Sequence, residues 1–241
     1  MYVFFYLRIR KILGISFQSK IKFYYSTFIL MSYIGPLKVL MQSLEREASG
    51  FLKKENISAT EDTIKTCAAI AAVSGVAAGW IPGAGSAIAI GVMTATVWGM
   101  YVKINKDLGI SIKDNLLKFI ASAFVSNLSA NVGSIIAALA LSFLLSFIPG
   151  IGSITSVAVI GILGYVVVYA SAVLYIMLLT KLFKAKGSVD NIESEAELKE
   201  IIEEVTKEAD LKEIIKDGKK AYKEAKKEGD LERTKKEHTP K

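Results

Sequence analysis

The chain has 241 residues, 52% hydrophobic and 22% charged, with a formal net charge of +7, so it is more apolar than an ordinary soluble domain. A single cysteine, Cys67, excludes a disulfide scaffold, and the apolar content excludes disorder. No charge occurs for 37 positions between Lys65 and Lys103, or for 62 between Lys118 and Lys181; each run exceeds the roughly 20 apolar residues that cross a bilayer once, which selects an all-α integral membrane bundle.

In chain order, a first segment covers residues 1–58. Its first 30 residues hold five bases, no acid and many aromatics. Arg8 interrupts the first apolar stretch early, and no alanine precedes Ala48, so an Ala-x-Ala cleavage site is missing and a signal peptide is disfavoured. The stretch reads either as an interfacial basic-aromatic anchor or as sequence upstream of a translation start at Met31 or Met41. From Pro36, Leu37, Leu40, Met41, Leu44 and Ala48 recur at helical spacing and predict a short amphipathic helix closed by Ser49 and Gly50.

A hydrophobic membrane domain is expected over 59–184. Ser58-Ala-Thr-Glu61 has the form of a capping box and predicts a helix over 59–80. A second helix is expected over 84–105, and Gly109 followed by Ser111-Ile-Lys-Asp114 reads as a stop and restart. The longer run divides into helices near 113–147 and 151–184. Each uncharged run holds one copy of a repeat, IPGAGS at Ile81–Ser86 and IPGIGS at Ile148–Ser153. Pro82 and Pro149 end the preceding helices, and Gly83, Gly85, Gly150 and Gly152 permit the reversal, so the unit is a helical hairpin present twice. Neither turn has the lysine of a phosphate-binding loop. Gly218-Lys219, the Gly-Lys pair of the tail, lacks the upstream glycine and the following Ser or Thr.

Small residues recur every fourth position. Cys67, Ala71, Gly75 and Gly79 make one row; Ala87, Gly91, Ala95 and Gly99 make a second; Ser122, Ser126, Ala130, Ser134, Ala138, Ser142 and Ser146 make a third. Such rows let helices approach closely in lipid, and Gly75, Gly79, Gly91 and Gly99 are the expected packing positions. A glycine-zipper pore would use the same residues, but a pore normally needs charged or carbonyl-lined constrictions. Asn127 and Asn131, one turn apart in the longest uncharged run, are intramembrane polar residues expected to bond to neighbouring helices.

Residues 185–241 form a charged helical tail. Residues 190–210 carry a charge of −7 and 211–241 a charge of +4, against +9 for 1–184. Ser194-Glu-Ala-Glu197 resembles a capping box, and Leu198, Ile201, Ile202 and Val205 make one narrow apolar stripe. The tail is therefore either a solvated helix or one that awaits a protein partner. No catalytic constellation is present. The one histidine, His238, stands in the charged tail, and one Cys with one His cannot build a zinc site, so neither enzyme activity, cofactor nor metal is expected. Nucleic acid is disfavoured because the bases flank apolar runs or alternate with acids.

The order of an Ala-rich helix, Ile81–Ser86, a helix ending in Met100-Tyr-Val-Lys-Ile104, the Asp107-Leu-Gly-Ile-Ser111 junction and then Ile148–Ser153 resembles the YcjF-type membrane family of unknown function. The resemblance covers about 60–184. Members often carry this hydrophobic module behind an Era-like GTPase domain, so the resemblance implies a module that anchors or answers to a GTPase, here acting in trans. The expected function is a non-enzymatic membrane anchor or scaffold, with a channel or membrane-permeabilising protein as the alternative. Expected partners are the lipid bilayer, a GTPase or other protein on the tail, and a second copy of the chain. Because bases flanking spans are retained in the cytoplasm, the N-terminal segment, the 103–118 connection and the tail are expected there in a multi-pass topology. Only 15 uncharged residues lie over 66–80, so hairpins dipping into one leaflet are the alternative geometry.

Overall fold

The computed structural model describes residues 36–49, 54–74, 86–130, 156–189 and 194–238, with Leu52 and Ile192. Among them lie eight α-helices: α1 Pro36–Glu47, α2 Lys54–Val73, α3 Ser86–Leu108, α4 Asp114–Ala130, α5 Ser156–Lys186, α6 Glu195–Glu208, α7 Leu211–Lys227 and α8 Asp230–His238. No strand occurs among the described residues, in keeping with the all-α class. The chain divides into two compact units, Met1–Val39 and Leu40–Lys241. Of the first, only the opening turn of α1 is described. The turn residues Pro82, Gly83, Gly85, Pro149, Gly150 and Gly152 lie outside the described residues, as do Gly75, Gly79, Asn131 and the basic-aromatic stretch 1–30.

Helix α1 begins at Pro36, the position suited to a residue without an N–H. Met41, Leu44 and Ala48 are buried, while Lys38 and Gln42 are exposed, which is the face the periodicity predicts. Helix α2 corrects the sequence reading. It starts at Lys54, so Ser58 and Glu61 lie inside it and do not cap it. The cause is burial: Ile57, Thr60, Ile64, Ala68 and Ala71 follow one helical face, and burying Ile57 carries the helix back past Ser58. The Thr60 hydroxyl donates to the Asn56 carbonyl at 2.8 Å, a bond made within a helix rather than at its start.

The expected stop between α3 and α4 is present. Gly109 has φ +68°, and the Ile110 N–H donates to the Asn105 carbonyl at 2.9 Å, which closes the helix with a left-handed turn. Asp114, opening α4, accepts from Trp98 Nε1 at 3.1 Å and pairs with Lys118 at 2.9 Å. The Lys118 ammonium lies 4.7 Å from the Trp98 ring centre. That exposed trio ties α4 back to α3.

Helix α5 is the axis of the Leu40–Lys241 unit, and α2, α3, α4, α6 and α7 all pack on it. Every residue from Leu163 through Ile176 is buried. A helix apolar all round must be enclosed on every side, by protein or by lipid. Here protein encloses it. The closest approach is to α2: a Cβ on Gly164 would lie 2.6 Å from the Ala71 carbonyl oxygen, and one on Gly161 would lie 3.1 Å from the Ala72 carbonyl oxygen. Gly91 and Gly99 behave otherwise, because a Cβ at either would meet nothing within 4 Å. The expectation that these two mark close helix packing is thus not met among the described residues; Gly161 and Gly164 occupy that role.

Candidate functional site

Among the described residues, Gly161–Lys186 of α5 is the one segment long and apolar enough to cross a membrane. Its 26 residues rise about 39 Å as an α-helix, against a hydrocarbon core of roughly 30 Å. Length and composition alone do not separate such a span from a core helix. What surrounds the segment therefore decides how it is read.

The charged tail lies along it. Ser194 caps α6 by accepting from the Glu197 N–H at 3.2 Å, as the capping-box pattern predicts. Asp210 caps α7, accepting from Lys212 and Glu213 N–H groups at 3.1 Å each. Between α5 and α6 the chain turns at Gly187, with φ +68° and its N–H donating to the Phe183 carbonyl at 2.8 Å. The pairings that follow run in opposite senses. Lys186 pairs with Glu197, and Lys181 with Glu204 at 2.8 Å and Glu208 at 2.7 Å. Tyr169 donates to Asp217. A Cβ on Gly218 would lie 3.5 Å from the Val166 Cα, and the Tyr165 ring meets Tyr222 edge-on at 5.6 Å. As numbers fall from 186 to 165 on α5, they rise from 197 to 222 on the tail, so α6 and α7 lie antiparallel along nearly the whole candidate span.

The expected apolar stripe of the tail is found, and it is occupied within the chain. Leu198, Ile202 and Val205 of α6 are buried, as are Ile214, Ile215 and Gly218 of α7, while Ile201 is half-buried. The opposite face of α7 exposes Lys212, Glu213, Lys216, Lys220, Lys223 and Glu224. Placing even four such charges at the depth of a bilayer centre would cost on the order of 10 kcal/mol. In this arrangement, then, α5 is the core of a bundle whose tail helix α7 turns its charges outward.

A second feature is a polar cluster between α3 and α5, built from residues four apart on each. The Tyr101 and Tyr175 rings stack with centres 4.0 Å apart. Tyr101 donates to the Ser171 carbonyl at 2.9 Å, and Tyr175 donates to the Asn105 side-chain oxygen. Asn105 Nδ2 and the Ser171 hydroxyl are buried with no hydrogen-bond partner. Unpaired buried groups cost about 1–3 kcal/mol, whereas a completed pair contributes about 1 kcal/mol. Ser171→Ala is accordingly expected to hold or raise stability, and Tyr175→Phe, which strands more of Asn105, to lower it by about 1–3 kcal/mol. Urea unfolding of the two variants checks the difference; equal losses would contradict it.

Asp217 is half-buried under Tyr169, and burial pushes its carboxyl above the usual range, partly offset by the Tyr169 hydroxyl and by Lys220. Glu213 and Glu224 push it the same way as burial. A raised folded-state pKa means that this contribution is complete below the unfolded value and lost as pH rises through the folded value. At neutral pH Asp217 therefore weakens the docking of α7. Asp217→Asn keeps an acceptor for Tyr169 and is expected to raise the melting temperature at neutral pH, with the gain shrinking toward acid. A gain that is independent of pH would contradict the assignment.

Sequence reasoning overlooked Gly161, Gly164 and Gly218. The Gly-x-x-Gly spacing of Gly161 and Gly164 on α5 was available, but the three-residue interval escapes a search for rows of four, and Gly218 on α7 has no such partner in its helix. Asn127 is half-buried on α4. Among the described residues no group of three or more His, Cys, Asp or Glu side chains is placed to hold a metal ion. Comparison of the chain with protein-family models, curated proteins and solved structures finds no match.

Proposed function

We propose that the protein is a non-enzymatic membrane anchor or scaffold that engages the bilayer through its uncharged runs, with α5 as one crossing element. The observation that carries the reading is that Gly161–Lys186, long enough to span, ends in three bases, Lys181, Lys184 and Lys186, placed where a membrane face would lie. Bases at the end of a span are held at the cytoplasmic face by the anionic leaflet. The proposed topology accordingly keeps the N-terminal segment, the 103–118 connection and the tail on that face. A GTPase acting in trans, the partner class implied by the YcjF-type resemblance, would meet the tail there.

The test is fractionation of cells expressing the full chain, followed by alkaline carbonate extraction and reconstitution. The anchor reading expects a carbonate-resistant membrane fraction and reconstituted vesicles that stay sealed to a trapped dye. Full release by carbonate contradicts membrane integration. Rapid dye leakage at low protein content favours the channel alternative.

A further inference from the structure

We propose that α6 and α7 form a displaceable cover on α5, so that the closed bundle and the membrane-inserted helix are alternative states of one chain, with an anionic bilayer as the competitor for the covered surface. The inference rests on the membrane reading above and adds the device that controls insertion.

Three observations carry it. The cover runs the length of the candidate span in antiparallel register, from Lys186–Glu197 to Tyr165–Tyr222, and buries the apolar stripe of α6 and α7 on the surface that lipid would contact. Both surfaces cannot be satisfied at once, because the outward charges of α7 forbid insertion of the covered helix.

The second observation is charge complementarity. Three tail carboxylates, Glu197, Glu204 and Glu208, hold Lys186 and Lys181 at one end of the span. Anionic headgroups present the same chemistry to the same ammonium groups, and these lysines are where such headgroups would lie if α5 crossed a membrane. A bilayer therefore replaces the tail in both of its roles, apolar and ionic.

Third, the cover is imperfectly fitted. The half-buried Asp217 carboxylate faces a tyrosine on an apolar helix, and the Thr206 hydroxyl is buried with no hydrogen-bond partner. Each weakens docking relative to an apolar side chain of similar size. The connection to α5 turns at Gly187, exposed and at φ +68°, so release of the tail has to free Val189 and Ile192, the buried side chains of the connection, while the turn itself carries the Gly187 N–H bond to the Phe183 carbonyl. A ligand shifts such an equilibrium by its differential affinity for the two states, and the bilayer has affinity for the open one.

The test locks the cover with one bond. In full-length protein carrying Cys67→Ala, the pair Val166→Cys and Gly218→Cys places a thiol where the Gly218 position approaches Val166, whose Cγ1 would lie 3.6 Å from the new Cβ. A Cβ 3.5 Å from the Val166 Cα keeps the two Cα atoms within about 5 Å, inside the disulfide range. The Tyr169 ring, whose Cδ1 would lie 3.2 Å from that Cβ, has to give way, a cost the oxidised and reduced samples share. The oxidised protein is mixed with vesicles of phosphatidylcholine and phosphatidylglycerol, floated and extracted with carbonate; the same sample is then reduced and tested again. Reduction is expected to raise carbonate-resistant insertion roughly tenfold, with less insertion into vesicles of phosphatidylcholine alone. Equal insertion before and after reduction overturns the cover and leaves the membrane reading standing. Insertion in neither state overturns the membrane reading and the cover with it. Failure of the disulfide to form under mild oxidation overturns the register on which the cover rests.

Discussion

Gly164→Ala is expected to destabilise the bundle by about 3 kcal/mol, although alanine is the better helix former by roughly 1 kcal/mol. The added Cβ would stand 2.6 Å from the Ala71 carbonyl oxygen and 3.1 Å from its carbonyl carbon. Both are backbone atoms of α2, so no side-chain rotation relieves the overlap and the two helices must separate along their contact. Gly161→Ala, at 3.1 Å from the Ala72 carbonyl oxygen, should cost less. Gly91→Ala meets nothing within 4 Å and should be neutral or stabilising by up to about 1 kcal/mol. Urea midpoints of the three variants are predicted to fall in that order. A Gly164→Ala protein as stable as its parent would contradict the packing of α5 on α2.

Synthesised without membranes, a chain ended after Gly187 is expected to be recovered from the aqueous phase at least roughly tenfold less than the full chain, and to enter vesicles when they are added, since the apolar side of α5 under the tail is uncovered. The deletion removes α6, α7 and α8. It strips the stripe of Leu198, Ile202, Val205, Ile214 and Ile215 from α5, and frees Lys181 and Lys186 of their carboxylates. It also bares the face of α2 on which α8 packs. A shortened protein that stays monomeric and aqueous would show that the tail covers nothing of consequence.

The elements that were legible in the sequence are those set by neighbouring residues. The stop at Gly109 and the cap at Ser194 each depend on a backbone conformation or a hydrogen bond within one turn, and both are present. Ser58 shows the limit: the same pattern lies inside α2, because burial of Ile57 extends the helix past it. The stripe on the tail was visible as a face that must be covered, but periodicity says nothing of what covers it. The occupant, α5, lies some 30 residues earlier in the chain, and only the fold back at Gly187 joins them. The close-packed glycines were hidden for the same reason. Whether a glycine is a contact or an open surface depends on which helix crosses it, and Gly164 and Gly91 differ in that alone.

The described parts of the long uncharged run, in α4 and α5, are apolar helix as expected, yet composition cannot separate enclosure by lipid from enclosure by protein. Tyr165, Tyr169 and Tyr175 carry a trace of the answer. Their hydroxyl groups place polar ends along α5, and the hydroxyl bonds of Tyr169 to Asp217 and of Tyr175 to Asn105 use them to hold protein neighbours.

The most direct measurement is hydrogen exchange of the full-length protein, resolved by segment, in buffer and then with anionic vesicles. Tail helices docked on α5 predict strong protection of the amides of 195–227 in buffer, and loss of that protection with vesicles while the amides of 163–183 stay protected. Rapid exchange across 195–227 in buffer would contradict the account, because it would mean that the tail is solvated apart from the helix it is held to cover.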